Sequence, residues 1–547
     1  MSSTTFKRLL AIVAVLALAM TQAAGGLASS ALNELGALPL VSEPATITYS
    51  LTIDTNIQDY ETNDYKVKLE EAAGVKLQFE FFPATDQAQK FAVMVASGEP
   101  LADIVIMRGQ SDSWVYQYGS QGIFIPLNDY YENSSYWIKK IITDNGLDGL
   151  LDNFIMPDGN IYTGPGYNPE LGNEWDHRAW INKTWLETLG LSMPTTTDEL
   201  YDVLKAFKEK DPNGNGKADE IPWMGCVNGW SNQPQQFLMN AFIYYNDGSL
   251  FLNVGENGKL LSAVNQDAFK AGLEYMNKLV VDGLLSPLSF TQAQADFKTI
   301  LENEDAQLIG ALNSGSMSIY QTDSIRKQDM THLPPLIGPE GVQYSTRAYQ
   351  GGQNLAYISK DAKDPELCFR LLDLMAGDPV FAVSNRYGSF GTDWTWATEE
   401  DKGKGLYEAM GIPATIHVIN NHWGQPQNAE IPNQVPWIRP YHYGIGGMAW
   451  GGDPYDSQYM TAQAVPDYIG KAPEEIVLRL VYTPEESERV TELWMPLYAY
   501  ISESMARFIT GDLQFSQWDE YKAELDAIGL NELISIAQVA WDRTHAN

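Results

Sequence analysis

Oxygen-bearing side chains recur at alternating positions in the segment DPNGNGKADEIP, residues 211–222. The candidate metal ligands are Asp211, Asn213, Asn215, Asp219 and Glu220. Hard divalent cations prefer six to eight oxygens from a tightly curved backbone, and a glycine at the sixth position, here Gly216, allows that curvature. The spacing therefore predicts a calcium site; an Asx- and Gly-rich turn without metal is the alternative interpretation.

The twelfth position of this loop is Pro222, whereas an EF-hand loop carries a bidentate glutamate there. Asp219 and Glu220 would therefore have to complete the coordination sphere. A predicted helix precedes the loop, and the sequence contains no second loop of this kind. We expect calcium to act as a structural clamp and not as a sensor.

Aromatic side chains supply a second kind of candidate site, because the chain has 15 Trp and 29 Tyr. Sugars present C–H faces that pack on aromatic planes, while their hydroxyls need polar partners. The candidates in turn-rich polar segments are Trp114, Tyr162, Trp175, Trp230, Trp394, Trp396, Trp423 and Trp450. For each of them, a partly buried aromatic beneath a loop is the alternative.

Three arginines lie close to these segments in the sequence: Arg108, Arg178 and Arg386. A guanidinium can bind a uronate or another carboxylate with two parallel hydrogen bonds. A surface ion pair is the alternative role of an exposed arginine. The sequence leaves open whether a bound sugar would be acidic.

The elements that would position these residues follow a parallel α/β pattern. ATITYS, VKLQFEFFP and ADIVIM read as strands, and helices are predicted through Tyr65 to a C-cap at Gly74 and through FAVMVASG. Ligands bind beyond the carboxyl ends of such strands. Trp114 follows ADIVIM and is therefore expected at the cleft.

Later segments are dominated by predicted helices over Thr197 to Lys210 and Ala268 to Val281, the first with a capping box at Thr196 and Glu199. An αβ pattern returns after Ala348 with QNLAYISK and PELCFRLLDLM. A chain of 547 residues exceeds what one hydrophobic core supports, so two or three domains are expected.

Composition excludes some partners and indicates export. A net charge of −35 would repel phosphate backbones, so nucleic acid is not an expected partner. Lys7 and Arg8, an apolar run through Met20 and small residues predict a signal peptide over residues 1–24. Only two cysteines are present, Cys226 and Cys368, and the sequence leaves their pairing open.

Several stretches resemble family 1 extracellular solute-binding proteins of bacterial ABC importers, especially oligosaccharide receptors related to the alginate-binding proteins and to Gram-positive lipoproteins. They are FAVMVASGEPLADIV, DGNIYTGPG, WINKTWLETLGLSMPTTTDELYDVLKAFKEKDPNGNGKADEIPW and, more weakly, PELCFRLLDLMAGDP with YGSFGTDW. The resemblance implies an α/β periplasmic-binding-protein fold with two lobes, a ligand cleft between them, and closure that presents the liganded receptor to a permease. In the 211–220 loop it implies calcium ligation by the residues listed above and by the Lys217 carbonyl.

On this basis we expect residues 44–165 and about 335–400 in an N-terminal lobe, and about 166–334 and 401–547 in a C-terminal lobe. We expect a monomeric, non-enzymatic receptor that delivers an oligosaccharide to an ABC transporter. No cysteine precedes Cys226, which favours a periplasmic or extracellular protein without a lipid anchor. Two alternatives stay open: a secreted carbohydrate-active enzyme with paired carboxylates, and a receptor for peptides or another non-sugar solute.

Overall fold

The structure is a computed structural model that describes residues 31–83, 87–422, 425–432 and 434–545. The predicted signal peptide at 1–24 and the candidate Trp423 lie outside the described residues. Among the residues described, no helix combines the length and the apolar character needed to cross a bilayer.

The strands are short and are distributed over the whole chain. They are β1 (Ala45–Thr52), β2 (Val75–Phe82), β3 (Ile104–Ile106), β4 (Gly164–Tyr167), β5 (Ala179–Asn182), β6 (Ile221–Met224), β7 (Leu252–Val254), β8 (Leu260–Ser262), β9 (Ile309–Asn313), β10 (Met330–Leu333), β11 (Gln353–Ile358), β12 (Trp394–Trp396), β13 (Ile416–Val418) and β14 (Trp437–Ile438).

The α-helices alternate with these strands and dominate the C-terminal part. They are α1 (Asp64–Ala73), α2 (Gln87–Ser97), α3 (Asp112–Ser120), α4 (Asn128–Asn133), α5 (Trp137–Asp144), α6 (Leu171–Glu174), α7 (Lys183–Leu189), α8 (Thr197–Glu209), α9 (Pro234–Leu238), α10 (Asp267–Val281), α11 (Gln294–Leu301), α12 (Pro365–Gly377), α13 (Pro379–Tyr387), α14 (Ser457–Tyr468), α15 (Pro484–Thr510), α16 (Trp518–Ile528) and α17 (Leu530–His545).

The first lobe is built on a six-stranded sheet with the order β14-β4-β11-β3-β1-β2. β1 pairs in parallel with β2 and with β3, as the strand and helix pattern of the sequence predicts. Helices α1, α5 and α12 supply apolar side chains to one core cluster of this lobe, and α2 and α3 supply a second.

The second lobe is built on a four-stranded sheet with the order β10-β5-β9-β6. β6 and β9 are parallel, so their carboxyl ends meet at one edge of the sheet. Its core is larger than that of the first lobe, because α8, α10 and the C-terminal helices α15 to α17 all bury their apolar faces there.

Capping residues determine where the predicted helices α1 and α8 end and begin. Gly74 caps α1 in the left-handed conformation at φ 72°, which costs glycine little because it has no Cβ. At the start of α8 the Thr196 hydroxyl accepts from the Glu199 backbone N–H at 3.1 Å. The Glu199 carboxylate accepts from the Thr195 backbone N–H at 2.8 Å. In a capping box it would accept from the Thr196 N–H, so this half of the predicted capping box is shifted by one residue.

Three segments cross between the lobes: 168–178 from β4 to β5, 334–352 from β10 to β11, and 439–456 from β14 to α14. Glu174 in the first crossing joins all three. It accepts from Arg347 Nε of the second at 2.7 Å and from the Tyr441 hydroxyl of the third at 2.9 Å. The lobes are therefore linked by hydrogen bonds between segments as well as by the chain itself.

One predicted boundary differs from the structure. β14 lies in the range 401–547 that we expected in the C-terminal lobe, yet it pairs in parallel with β4 of the first sheet. Ile431 and Val435 belong to the same first-lobe core. A two-residue strand carries no readable periodicity, which explains why the sequence did not reveal this return.

The two cysteines are free and buried. Cys368 lies on the apolar face of α12 in the first lobe, and Cys226 lies in the core of the second lobe. Each thiol fills space as a small apolar side chain in its own lobe.

Candidate functional site

The strand β6 positions two loops, one at each of its ends. The 211–220 loop joins α8 to the amino end of β6, and the loop of residues 225–233, which we call the Trp230 loop, follows its carboxyl end. The carboxyl end is the side of a parallel pair at which α/β sheets bind ligands. The two loops therefore belong to opposite ends of one four-residue strand.

The 211–220 loop is tightly curved, with left-handed φ values at Asp211, Gly214 and Gly216 of 47°, 70° and 73°. Backbone N–H groups inside the curve donate to side-chain oxygens. Asn215 N donates to Asp211 Oδ1 at 3.1 Å, and Gly216 N donates to Asp211 Oδ2 at 3.0 Å. The structure thus gathers the first half of the predicted ligand set around Asp211.

In the second half of the loop, the side-chain hydrogen bonds converge on the Asp219 carboxylate. The amide groups of Asn213 and Asn215 each donate to the Asp219 carboxylate at 3.1 Å, and they hold the pKa of Asp219 below its usual value. Burial, with nearby Asp211 and Asp219, raises the pKa of Glu220. Glu220 Oε1 is buried and has no hydrogen-bond partner within the described ranges.

Calcium would suit this donor set, because all its members are oxygens and the unpartnered Glu220 oxygen lies beside two further carboxylates. Lys217 is exposed, so its carbonyl and not its ammonium is the group that the curve can direct inward. In the part of the chain that the structure describes, no three His, Cys, Asp or Glu residues are already gathered around one metal position.

The Trp230 loop presents one aromatic side chain to solvent. Trp230 is 42% exposed, and the residues on both sides of it, Gly229 and Ser231, have left-handed φ values of 97° and 53°. A left-handed serine is uncommon and costs free energy, which the rest of the loop must supply. The base of the loop is closed by Cys226 N, which donates to the Asn232 carbonyl at 3.1 Å.

Contacts across the second lobe fix the orientation of the Trp230 ring. Its indole N–H donates to Asp176 Oδ2 at 2.5 Å, and the Ser231 hydroxyl donates to the same oxygen at 3.0 Å. One edge of the ring lies against Gly315, just after the carboxyl end of β9, where an added Cβ would stand 2.6 Å from Trp230 Cδ2. Trp230 is thus a fixed, accessible aromatic plane at the ligand-binding edge of the sheet.

Trp114, the other aromatic expected at a strand end, is half-buried and lines a cavity of 640 Å³ between the lobes. The walls are the start of α3 in the first lobe and the start of α15 in the second. The Ser113 and Ser487 hydroxyls meet across it at 2.8 Å. Trp114 therefore lies beside the space between the lobes, and its contact with a ligand stays a prediction.

An ion pair joins the lobes next to this cavity. Arg479 and Asp112 form a two-pronged pair, with Nη2 to Oδ1 and Nε to Oδ2 both at 2.7 Å. Asn354 also donates to Asp112 Oδ1 at 2.7 Å. No local pattern in the sequence indicates this pair, because its partners are 367 residues apart.

Four of the candidate ligand residues are packed inside the protein, where they contact other parts of the chain, and their ligand role stays a prediction. They are Tyr162, Trp175, Arg178 and Trp394, which are 3%, 5%, 0% and 0% exposed. Arg178 donates to the carbonyls of Trp175, Gly172 and Gly315. Trp394 donates its N–H to the Gly388 carbonyl, and the Tyr162 hydroxyl donates to Asp158. Arg178 and Trp394 thereby bind the backbone of neighbouring segments.

The remaining candidates have mixed surroundings. Trp396 packs edge-on against Trp394, and Trp450 stacks on Tyr459 at 3.9 Å. Arg108 is exposed, and Arg386 lies 5.1 Å from the ring centre of Tyr387. No ligand role is assigned to these four by their contacts, and for them the prediction stays a prediction.

Comparison with known proteins adds a family and relatives. A family model described as bacterial extracellular solute-binding protein matches residues 54–380. The fructooligosaccharide ABC transporter substrate-binding protein FusA of Streptococcus pneumoniae is 28% identical over 494 residues, which cover 88% of this chain and 87% of FusA. Lipoprotein LipO of Bacillus subtilis is 28% identical over 332 residues, which cover 58% of this chain and 61% of LipO.

Solved structures agree with the architecture. FusA in complex with kestose aligns with a TM-score of 0.69 at 24% identity and covers 92% of this chain and 100% of its own. An extracellular solute-binding protein of Bifidobacterium longum subsp. infantis aligns with a TM-score of 0.74 at 20% identity and covers 92% and 98%. The predicted α/β fold with two lobes is confirmed.

Proposed function

This chain belongs to the family of bacterial extracellular solute-binding proteins, and from that premise we propose that it captures an oligosaccharide between its lobes and delivers it to an ABC importer. The observation that carries the proposal is Trp230, a fixed and exposed aromatic plane at the carboxyl edge of the second sheet. A pyranose or furanose ring can pack its C–H face on such a plane. Asp176 and Ser231 stand beside it as partners for sugar hydroxyls.

The relatives support a saccharide. FusA is described as a fructooligosaccharide receptor, and its structure was solved with kestose. A second B. longum structure of the same fold, with a TM-score of 0.74, is that of a binding protein for human milk oligosaccharides. We extend the sugar class, and not a particular sugar, to this chain.

Closure of the lobes would proceed by bending of the three crossing segments. Glu174, held by Arg347 and Tyr441, keeps those segments together while they bend. The two-pronged Arg479 to Asp112 pair is partly buried, so any motion that breaks it loses the attraction between the charges and both hydrogen bonds, a cost that rehydration of the two groups offsets in part. Binding of the sugar would have to supply that free energy.

We extend the proposal to calcium in the 211–220 loop. The relatives support it, since one FusA structure is described as an EF-hand mutant and one alginate-binding structure as lacking calcium ion. A cation would take the unpartnered oxygen of Glu220 together with the carboxylates of Asp211 and Asp219. Rotation of the Asn213 and Asn215 amides would exchange their donor nitrogens for acceptor oxygens.

The same proposal includes a monomeric receptor that works outside the cytoplasm, with permease subunits as its partners. A binding role without catalysis is favoured by FusA and the B. longum protein, which are named as substrate-binding and solute-binding proteins. The alternative of a carbohydrate-active enzyme is tested directly by incubation of purified protein with polysaccharides. Release of reducing ends or unsaturated products would contradict the receptor.

Thermal-shift and calorimetric titration with neutral and acidic oligosaccharides, in the presence of calcium, tests the proposed function. A bound sugar raises the melting temperature, because a ligand that binds only the folded state stabilises it by mass action. We expect at least one oligosaccharide class to bind. If every sugar fails while a peptide library gives a stabilising hit, the sugar assignment is wrong.

A further inference from the structure

A cavity of 280 Å³ in the second lobe lies against the Trp230 loop. Val227 and Gln233 of that loop form one wall, and Tyr498, Ser502 and Ala506 of α15 form the facing wall. The cavity is close to the lower limit of small-molecule sites in volume. It is large enough for about one sugar ring and too small for a folded peptide.

The lining combines exposed apolar surface with a polar group that lacks a partner. Val227 and Tyr498 are 40% and 41% exposed, although both are large apolar side chains at a cavity mouth. Tyr498 is parallel to Phe251 within 8°, and its ring centre lies 5.5 Å from that of Trp494. The ring is thus presented in a fixed plane, as that of Trp230 is.

The polar group without a partner is the side-chain amide oxygen of Gln235. Gln235 is 5% exposed and lines the cavity, and its side-chain nitrogen donates to Gln233 Oε1. Its Oε1 is buried and accepts no hydrogen bond from the described part of the protein. A buried amide oxygen without a donor is unfavourable, because it has lost the hydrogen bonds that water would give it. A hydroxyl donor that entered the cavity would remove this cost.

The charge of the lining restricts the ligand. None of the side chains that line the cavity is ionisable at neutral pH, since they are amides, hydroxyls, a phenol, a thioether and hydrocarbons. An anionic uronate there would lose hydration with no cationic partner. A neutral sugar unit would match the amides with its hydroxyls and the Tyr498 ring with its C–H face.

We infer that this cavity is a second sugar subsite, which takes one uncharged unit of the bound oligosaccharide. The inference rests on the proposed function and deepens it, because it makes the substrate class a neutral oligosaccharide. The base of the shared loop is held on the 287–292 segment. Gly225 N donates to the Ser289 hydroxyl at 3.0 Å, and Gln292 donates to the Gly225 carbonyl at 2.7 Å.

The test fills the cavity without removing a contact. Ala506→Leu places a larger side chain on the cavity wall of α15, and leucine is a good helix former. Ala499→Leu makes the same change on an exposed position of the same helix and is the matched control. Gln235→Met removes the unpartnered oxygen at similar volume and provides an independent variant.

Affinities are measured by calorimetry for neutral fructo-, gluco- and manno-oligosaccharides of two to five units and for oligogalacturonides of the same lengths. With wild type we expect neutral sugars alone to bind and affinity to rise with length. Ala506→Leu and Gln235→Met should each weaken the binding of the longer neutral sugars by about tenfold. Ala499→Leu should bind them like wild type. Shorter sugars should bind all variants equally.

The outcomes separate the two proposals. If wild type binds sugars and loses affinity on Trp230→Ala, but Ala506→Leu and Gln235→Met bind every length like wild type, the subsite is wrong and the receptor function stands. Tighter binding of oligogalacturonides than of neutral sugars also overturns the subsite. If wild type binds no saccharide of either set, the proposed function itself fails.

Discussion

The two loops at the ends of β6 differ in the location of their hydrogen-bond partners. In the 211–220 loop, side-chain oxygens accept from N–H groups of the loop itself, as Asp211 does from Asn215 and Gly216. In the Trp230 loop the key partners come from elsewhere: Asp176 before β5 and Gly315 after β9. One loop is self-contained, whereas the other depends on the assembled lobe.

The difference explains why a single strand can carry two roles. A self-contained loop stabilises the fold at the amino end of β6, while a loop held from outside can present a side chain that its own sequence would not fix. β6 spans about 13 Å at roughly 3.3 Å per residue, so direct electrostatic effects of one loop on the other are weak at physiological salt. We therefore expect the two loops to be separable by experiment.

Loss of the aromatic plane should have the largest effect. Trp230→Ala removes the stacking surface and should weaken oligosaccharide binding by roughly 2 to 4 kcal/mol, as for a dominant contact residue. The melting temperature should change little, because the ring is 42% exposed. Calorimetry for affinity and thermal unfolding for stability measure the two quantities on the same sample.

Trp230→Phe is the matched control for this change. It keeps one six-membered aromatic ring and removes the pyrrole ring with the N–H that binds Asp176, so it should retain more of the affinity than Trp230→Ala does. A Trp230→Ala protein that binds like wild type would remove Trp230 from the site. A protein that unfolds instead would show that this loop, too, is mainly structural.

Calcium removal should have the next largest effect, and on stability instead of affinity. At a free calcium concentration of 100 times Kd, the bound ion contributes about 2.7 kcal/mol. Chelation should then lower the melting temperature by roughly 2 to 5 °C. Differential scanning calorimetry with and without chelator measures the shift, and oligosaccharide affinity well below the melting temperature should change less than threefold.

Two variants make the calcium experiment specific to the loop. Asp211→Ala should abolish the response to chelator, because Asp211 is the centre of the curve. Lys217→Ala should leave it intact, because the exposed ammonium is not a ligand and the carbonyl remains. An unchanged melting temperature on chelation of wild type would contradict the proposed site.

The smallest expected effect comes from the surface beneath Trp230. Gly315→Ala adds a Cβ that would stand 2.6 Å from Trp230 Cδ2, so the indole has to tilt. We expect about a tenfold loss of affinity, which corresponds to 1.4 kcal/mol. Gly451→Ala is the control, since a Cβ there meets nothing within 4 Å. Equal affinity of the two variants would show that the orientation of the ring does not matter.

The sequence predicted the 211–220 loop well because its contacts are local. Asp211 and Asn215 are four residues apart, and glycines mark the positions of the turns. The α/β order of the first lobe was predictable for the same reason, since β1, α1 and β2 follow one another directly. The spacing of residues along the sequence is sufficient to predict a structure whose contacts join residues close together in the chain.

Long-range contacts explain what the sequence did not reveal. Trp175, Trp394 and Trp230 all lie in polar, turn-rich segments of the sequence. Only the fold shows that Trp175 and Trp394 are buried and that Trp230 is exposed. The partners of Trp230 are distant in sequence. The one local signal was the left-handed pair Gly229 and Ser231, of which only the glycine is recognisable in advance.

The return of β14 to the first sheet has a consequence for folding. The first lobe begins near β1 and is complete only when Trp437 and Ile438 pair with β4, and the second lobe still awaits α15 to α17 at that point. A chain that is cut or stalled before residue 437 leaves β4 as an open edge, which invites aggregation. Folding should thus be slow and limited by non-local pairing, with neither lobe able to mature as an isolated fragment.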